Sequence, residues 1–173
     1  TRISDSQREA IKRRLGPYAT SLLLGEQPLP TDLSYVKSAL ALKGEAWLEE
    51  EVNDVRYRLA PNSFFQTNTA MAAQLQQTVT AFIPDDTPSV LDLYCGLGFF
   101  GIFLAKSRSA LTVHGYEIDA EAIELAKHNA AANDVAERCS FTTGPAEALS
   151  WREIQADAII LDPPRAGLHP RVL

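Results

Sequence analysis

Cysteine is scarce in this chain: Cys95 and Cys139 are the only two among 173 residues. Two thiols so far apart make neither a disulfide framework nor a metal-ligand cluster, so no metal site is expected. A reducing, cytoplasmic compartment is the matching expectation. No apolar run is long enough to span a bilayer. The N-terminal stretch "TRISDSQREAIKRRLG" is charged where a signal peptide would be apolar. No membrane partner is therefore expected, and no protein partner is inferred. Thr1 stands where an initiator methionine would, which predicts that the sequence begins inside a longer protein. Repeats and low-complexity stretches are absent too. An excess of positive charge is also missing: 22 acidic against 16 basic side chains give a net charge of −6. That argues against a general nucleic-acid binder with a basic face without excluding a site-specific one. Local basic groups exist at Arg8, Lys12, Arg13 and Arg14, at Arg56 and Arg58, and at Arg165 and Arg171. The first cluster reads best as a solvated helix face.

What is present divides into two parts. Residues 1–60 combine a short charged helix with strand-like pieces. "TSLLLGEQPLP" reads as a strand ending in a proline-marked turn. "AWLEEEVNDVRYRLAP" reads as a hairpin with its turn at "VNDV", because Val55, Tyr57 and Leu59 alternate with Arg56 and Arg58. Residues 61–173 change character. "TNTAMAAQLQQTVTAFI" places Met71, Leu75, Val79 and Phe82 at helical spacing. A βα alternation follows: strand "SVLDLYC", helix "FFGIFLAKS", strand "LTVHGYEI", and helix "DAEAIELAKHNAAAN" with Asp119 as its cap. Strand "CSFTTG", the short turn "PAEAL" and strand "DAIILD" complete it. The expected fold class is α/β, a Rossmann-like parallel sheet with a small α+β segment before it. Ligands bind such sheets beyond the carboxyl ends of the strands. Asp92 to Cys95, Glu117, Gly144 and Asp162 stand there.

"DLYCGLGFFG" holds Gly96, Gly98 and Gly101 as G-x-G-x-x-G between a strand and a helix, with Glu117 twenty-one residues after Gly96. Glycines let the backbone turn sharply and approach a ligand, and the carboxylate can accept ribose hydroxyls. Dinucleotides and S-adenosylmethionine both need that clamp. Asp92 beside the loop suits an ammonium and a sulfonium and repels a pyrophosphate, which tilts the reading towards the methyl donor. At the end of the last strand, Pro163 and Pro164 stiffen the turn that follows Asp162, and Pro163 restricts Asp162 itself. Beside the glycine loop, such a turn points to methyl transfer onto a planar nitrogen or carbon. Before the sheet, "PNSFFQTN" offers Gln66, whose amide can read a base edge or a polar cofactor group. Asn68 has a simpler use as a helix cap, and of Phe64 and Phe65 one is expected in the core.

Together, "SFFQTN", "LDLYCGLGFFG", "GYEIDAEAIELAKHNAAAN" and "LDPPRAGL" resemble the RNA uracil-C5 methyltransferase family, in its order, over roughly residues 55–170. The wording is closest to the branch acting on 23S ribosomal RNA. The resemblance implies a methyltransferase sheet truncated on its C-terminal side, S-adenosylmethionine as cofactor, and ribosomal or transfer RNA as partner. It places residues 1–60 in a central, RNA-facing subdomain. It further implies that Gln66, Tyr94, Glu117 and Asp162 contact the donor, with Gly96, Gly98 and Asp92 forming the loop, and that Asp162 and Gln66 lie near the target base. Two departures stand out. Phe99 occupies a position where Asn is common, so a polar contact to the donor is missing or replaced by packing, and Pro145 stands near a usual Asn or Asp whose loss bears on the adenine contact. An iron–sulfur cluster, found in some members, would lie upstream of Thr1.

Family chemistry needs a cysteine thiolate that adds to uracil C6 and a base that removes the C5 proton. Both would follow the Asp-Pro-Pro-Arg segment, beyond Leu173, so residues 1–173 alone are expected to be inactive. Cys95 is expected to pack in the glycine loop and Cys139 in a strand. The alternatives are a guanine-N2 or adenine-N6 methyltransferase, in which an aromatic residue would replace Arg165, and a non-catalytic module binding the donor or RNA. A nicotinamide oxidoreductase is more distant.

Overall fold

The computed structural model describes residues 3–26, 36, 38–148, 153, 155–165 and 167–172. Two compact units form. One holds residues 1–48 and 59–62; the other holds residues 49–58 and 63–173.

In the first unit, helix α1 (Asp5–Leu15) starts at a capping box. Ser4 Oγ accepts from the Gln7 N–H, and Gln7 Oε1 accepts from the Ser4 N–H. Asp5 in the first turn and Lys12, Arg13 and Arg14 in the last complement the helix dipole. Strands β1 (Leu22–Glu26) and β2 (Ser38–Lys43) pair antiparallel. Lys43 Nζ donates to the carbonyls of Gly16 and Ala19, which ties the end of α1 to this ribbon. The proline-marked turn expected after β1 lies outside the described residues.

The second unit opens with the expected hairpin, β3 (Leu48–Val52) and β4 (Val55–Leu59). Its turn residues Asn53 and Asp54 have φ of 50° and 61°. Paired left-handed residues are what a tight two-residue turn requires, and Asn and Asp tolerate them. Helix α2 (Thr69–Ala81) follows, capped by Asn68 Oδ1 accepting from the Met71 N–H at 3.1 Å. Then come β5 (Ser89–Leu93), α3 (Phe99–Ser107), β6 (Thr112–Glu117), α4 (Ala120–Ala132), β7 (Cys139–Thr143) and β8 (Ala158–Leu161). Asp119 caps α4 as expected, accepting from the Glu121 N–H at 2.9 Å.

The four later strands form one parallel sheet in the order β7-β6-β5-β8. The chain builds outward from β5 in one direction, then returns to add β8 on its other side. That reversal opens a crevice at the carboxyl ends of β5 and β8. Val90, Leu91, Asp92 and Leu93 are all buried, as the central strand of such a sheet demands. Ile102, Leu104, Leu111, Val113 and Ile123 complete the core around it. β8 differs from the buried strand that its apolar run suggests. It is an edge strand among the described residues, with Ile160 buried and Ile159 and Leu161 half exposed.

Helix α2 also departs from its pattern. Met71, Leu75 and Phe82 face outward, and the buried residues are Ala72 and Gln76. Apolar spacing marks the helix but not its inner face. Gln76 tolerates full burial because its amide is satisfied by Asn53, Tyr57 and the Phe99 carbonyl.

The units do not divide at residue 60, because hairpin residues 49–58 belong with the sheet. Two asparagines of α4 hold them there. The Asn129 carbonyl oxygen accepts from the Arg58 N–H at 2.8 Å, and its amide donates back to Arg58 O at 3.4 Å. Asn133 repeats the exchange with Arg56, at 3.0 and 2.7 Å. Four helical residues rise roughly 6 Å, and two strand residues roughly 6.8 Å. Asparagines four apart on a helix can therefore stand in for a neighbouring strand. Asn133→Ala removes one rung and should lower stability by about 1–3 kcal/mol. Urea unfolding of the variant checks this, and an unchanged midpoint would show that the rung contributes nothing.

Candidate functional site

The connection from β5 to α3 is where the chain bends most sharply. Tyr94, Gly96 and Gly98 all take positive φ, at 65°, 53° and 87°. Gly98 caps α3 without a side-chain hydrogen bond. The Gly98 N–H bonds Cys95 O at 2.9 Å, closing the turn. No atom lies within 4 Å of where a Cβ on Gly96 would stand, so this part of the loop faces open space. Gly101 is needed for packing instead. A Cβ there would come within 2.6 Å of Val113 Cγ1 and 3.2 Å of Asp92 Oδ2.

Asp92 lies under the loop with no exposed surface. Its Oδ2 accepts from the Gly101 N–H at 3.1 Å, while its Oδ1 is buried without a protein partner. Burial pushes its carboxyl up to about 7; the Gly101 hydrogen bond opposes this, and the negative charges of Asp162 and Glu117 add to it. Glu117 ends β6 and reaches back across the crevice. Its Oε2 accepts from the Gly96 N–H at 3.2 Å, and its Oε1 accepts from Ile118 and Asp119 at 2.7 and 3.0 Å. Asp162 follows β8, with its N–H 3.5 Å from Leu93 O. It is exposed, and partial burial raises its carboxyl above the usual range. The structure thus brings Asp92, Tyr94, Gly96, Gly98, Glu117 and Asp162 to one end of the sheet. Tyr94 packs against the cluster of Leu91, Leu93, Tyr116, Ala146 and Val172.

Gln66 follows Phe65, which packs against the first residue of α3. Phe65 sits edge-on to Phe99 with centroids 5.6 Å apart, and Tyr57 lies 5.6 Å from Phe65 and 5.7 Å from Phe99. This aromatic trio fixes the "FFQTN" segment to the first residue of α3, leaving Gln66 half-buried beside it. Phe99 packs against Tyr57, Phe65 and Phe100. Of the phenylalanine pair, Phe65 is packed and Phe64 is 80% exposed. Pro145 is half-buried, just before the short helical turn Ala146–Ala148.

Neither cysteine is poised as a nucleophile. Cys95 is buried, and a Cβ on Gly115 would stand 2.9 Å from its sulfur. Burial pushes its thiol far up, and that of Cys139 up to about 11. Among the described residues no cluster suits a metal ion, and no helix is long and apolar enough to cross a membrane.

The donor set suits a cationic ligand. Glu117 and Asp162 stand at the open glycine turn above the buried Asp92, one oxygen of which lacks a partner. A dinucleotide's pyrophosphate would meet that negative charge. Residues that carry the loop from behind, Tyr57, Gln76 and Asn129, escaped the reading of the sequence. Their signal was polar side chains on otherwise apolar positions, which only a partner elsewhere in the chain explains.

A family model described as the methyltransferase small domain matches residues 60–170. A tRNA (uracil(54)-C(5))-methyltransferase of Pyrococcus furiosus is 41% identical over 75% of this chain and 30% of its own length. A 23S rRNA (uracil(747)-C(5))-methyltransferase of Shewanella halifaxensis is 39% identical over 82% of this chain and 38% of its own. The chain thus spans about a third of the length of these curated relatives. The crystal structure of the Pyrococcus abyssi tRNA (uracil-54, C5)-methyltransferase with S-adenosyl-L-homocysteine superposes with a TM-score of 0.75 at 34% identity, covering 91% of this chain and 38% of that one. The family match runs over well more than half of the sequence and takes in the whole parallel sheet: the chain belongs to the methyltransferase small domain family.

Proposed function

We propose that this chain is the donor-binding part of an enzyme that methylates C5 of a uridine in transfer or 23S ribosomal RNA, with S-adenosylmethionine as donor. The observation that carries the reading is the Glu117 carboxylate bonded to the Gly96 N–H at the carboxyl end of a parallel sheet. Its support comes from the likeness to a protein crystallised with S-adenosylhomocysteine.

S-Adenosylmethionine supplies an electrophilic methyl group on a sulfonium. Glu117 would accept hydrogen bonds from the ribose hydroxyls. The unpartnered Asp92 Oδ1 would favour the ammonium, and Tyr94, Gly96 and Gly98 would shape the wall of the pocket. Asp162 and Gln66 would orient donor and base, Asp162 from the end of β8 beside β5 and Gln66 from the segment that Phe65 packs against Phe99. Uracil C5 is a poor nucleophile until a thiolate adds at C6 and places electron density on C5. After transfer, a base takes the C5 proton and the thiolate leaves with its electron pair. Cys95 and Cys139 are unsuited to that role. The thiolate and the base would come from other parts of the enzyme, whose relatives are well over twice as long as this chain.

Calorimetry on the full-length protein should show S-adenosylhomocysteine binding and no NAD binding, and Glu117→Ala should weaken binding by about 1.5–3 kcal/mol. NAD binding without S-adenosylhomocysteine binding would sink the reading. An unchanged affinity in a folded Glu117→Ala variant would place the ribose elsewhere.

Asp92 generates a pH prediction. In the fold it holds its proton up to about pH 7, while its ordinary value is 3.8. Between those values the folded state binds more protons, so stability falls as pH rises through this window. Asp92→Asn removes the effect. Wild type should lose a few kcal/mol relative to the variant between about pH 4 and 8, at about 1.4 kcal/mol per pH unit. Parallel stability curves would refute this. A cationic donor should bind more tightly as pH rises through about 7.

In the full-length enzyme, uridine C5 methylation should occur and Asp162→Ala should lose most turnover. A tritium-release assay on undermodified RNA measures both. Absence of uridine as the modified base, with guanine or adenine methylated instead, would favour the Asp-Pro-Pro nitrogen methyltransferases.

A further inference from the structure

The N–H groups of the glycine loop and its carbonyls have different partners. Gly96 and Gly101 donate to the site acids Glu117 and Asp92. The carbonyls of Leu97 and Phe99 are taken by side chains from three other elements. Asn129 of α4 donates to Leu97 O at 3.3 Å. Tyr57 of β4 donates to Phe99 O at 2.9 Å, and Gln76 of α2 donates to the same oxygen at 2.7 Å. Gln76 also donates to the Tyr57 hydroxyl at 2.8 Å, and its own oxygen accepts from Asn53 at 3.0 Å. Tyr57, Gln76 and Asn129 have no exposed surface. Burial pushes the Tyr57 hydroxyl far up, so it stays a neutral donor.

We propose that Asn129, Tyr57 and Gln76 are positioning residues for methyl-donor binding: they hold the Leu97 carbonyl in the glycine loop and the Phe99 carbonyl at the start of α3, and so restrain the turn that presents the Gly96 N–H to Glu117 and its open face to the donor. The inference rests on the donor-binding reading above. A peptide plane is rigid, so holding the Leu97 and Phe99 oxygens also fixes the Gly98 and Phe100 N–H groups, and the Gly98 N–H closes the turn on Cys95 O. Left-handed glycines have many alternative conformations, and a loop rich in them needs outside restraint to keep one. Asn129 occupies a double post, since the amide that bonds Leu97 O also closes the β4 rung at Arg58. The hairpin is thereby joined to the loop. Asn133 provides the internal comparison. It makes the equivalent rung at Arg56 but bonds α4 at Asn129 O rather than the glycine loop.

The test uses the full-length protein and the variants Tyr57→Phe, Asn129→Ala and Asn133→Ala. S-Adenosylhomocysteine affinity is measured by calorimetry, amide deuterium exchange over residues 95–101 by mass spectrometry, and stability by thermal unfolding. Tyr57→Phe keeps the ring in its aromatic trio and removes only the hydroxyl. It should weaken binding about three- to tenfold, with faster loop exchange. Asn129→Ala should weaken binding about tenfold or more. Asn133→Ala should lower the melting temperature about as much as Asn129→Ala, yet leave affinity within about twofold and loop exchange unchanged. Unchanged affinity and exchange in folded Tyr57→Phe would overturn the proposal. So would Asn133→Ala weakening binding as much as Asn129→Ala, because general destabilisation would then explain both. Failure of wild type to bind S-adenosylhomocysteine would reject the donor reading separately, and loop exchange in Tyr57→Phe would still decide whether these groups hold the loop.

Discussion

A buried carboxyl bonded to the N–H of a glycine organises this molecule. Asp92 has no exposed surface and its one protein partner is Gly101, the third glycine of the loop. The bond exists because Gly101 lacks a Cβ that would otherwise press on both Val113 and the carboxyl itself. α3 can therefore lie close on β5 and β6, and the chain between β5 and α3 must turn in very few residues. The left-handed Tyr94, Gly96 and Gly98 are the local consequence. Glu117 then reaches the turn from the next strand because parallel pairing sets Leu93 beside Tyr116.

Support for this turn comes from both sides. Acids hold its N–H groups, and neutral amides and a phenol hold its carbonyls. The division is electrostatically sensible. Glu117 and Asp162 leave negative charge that suits a cationic donor, the buried Asp92 adds to it once its proton is lost near pH 7, and the neutral side chains behind add none. The same economy of charge holds for the basic residues. Arg138 donates to the carbonyls of Ala105, Arg108 and Leu111. Arg108 in turn donates to Thr80, Ile83 and Pro84. These guanidiniums satisfy helix ends and loops, so they serve the fold. Arg56 likewise donates to Ala132 O while remaining exposed.

Much of the fold and half of the site were legible in the sequence, for definite reasons. Alternation at Val55, Tyr57 and Leu59, the Asn-Asp turn, and the strand–glycine–helix order depend on local geometry, and each produced the element expected. Gly96, Gly98, Glu117 and Asp162 stand at strand ends, and in a parallel sheet strand ends converge, so their meeting follows from topology. Other features depended on distant partners. The apolar residues Met71, Leu75 and Phe82 point outward, and Gln76 is buried, because Tyr57, Asn53 and Phe99 O come from elsewhere to meet its amide. The apolar run of β8 suggests burial, but Ile159 and Leu161 are half exposed on a strand that is at the edge among the described residues.

The sequence by itself determined the α/β order, the glycine turn, the carboxylates at the strand ends and the likeness to a methyltransferase family, since these are written in contiguous residues. Only the tertiary structure decided that the hairpin belongs with the sheet and that Asn129 and Asn133 act as its missing neighbour strand. It alone decided that Asp92 lies fully buried with one oxygen unpaired, and that Tyr57, Gln76 and Asn129 hold the loop from behind. Most of these depend on hydrogen bonds between residues far apart in the chain, which packing brings together and no local pattern records.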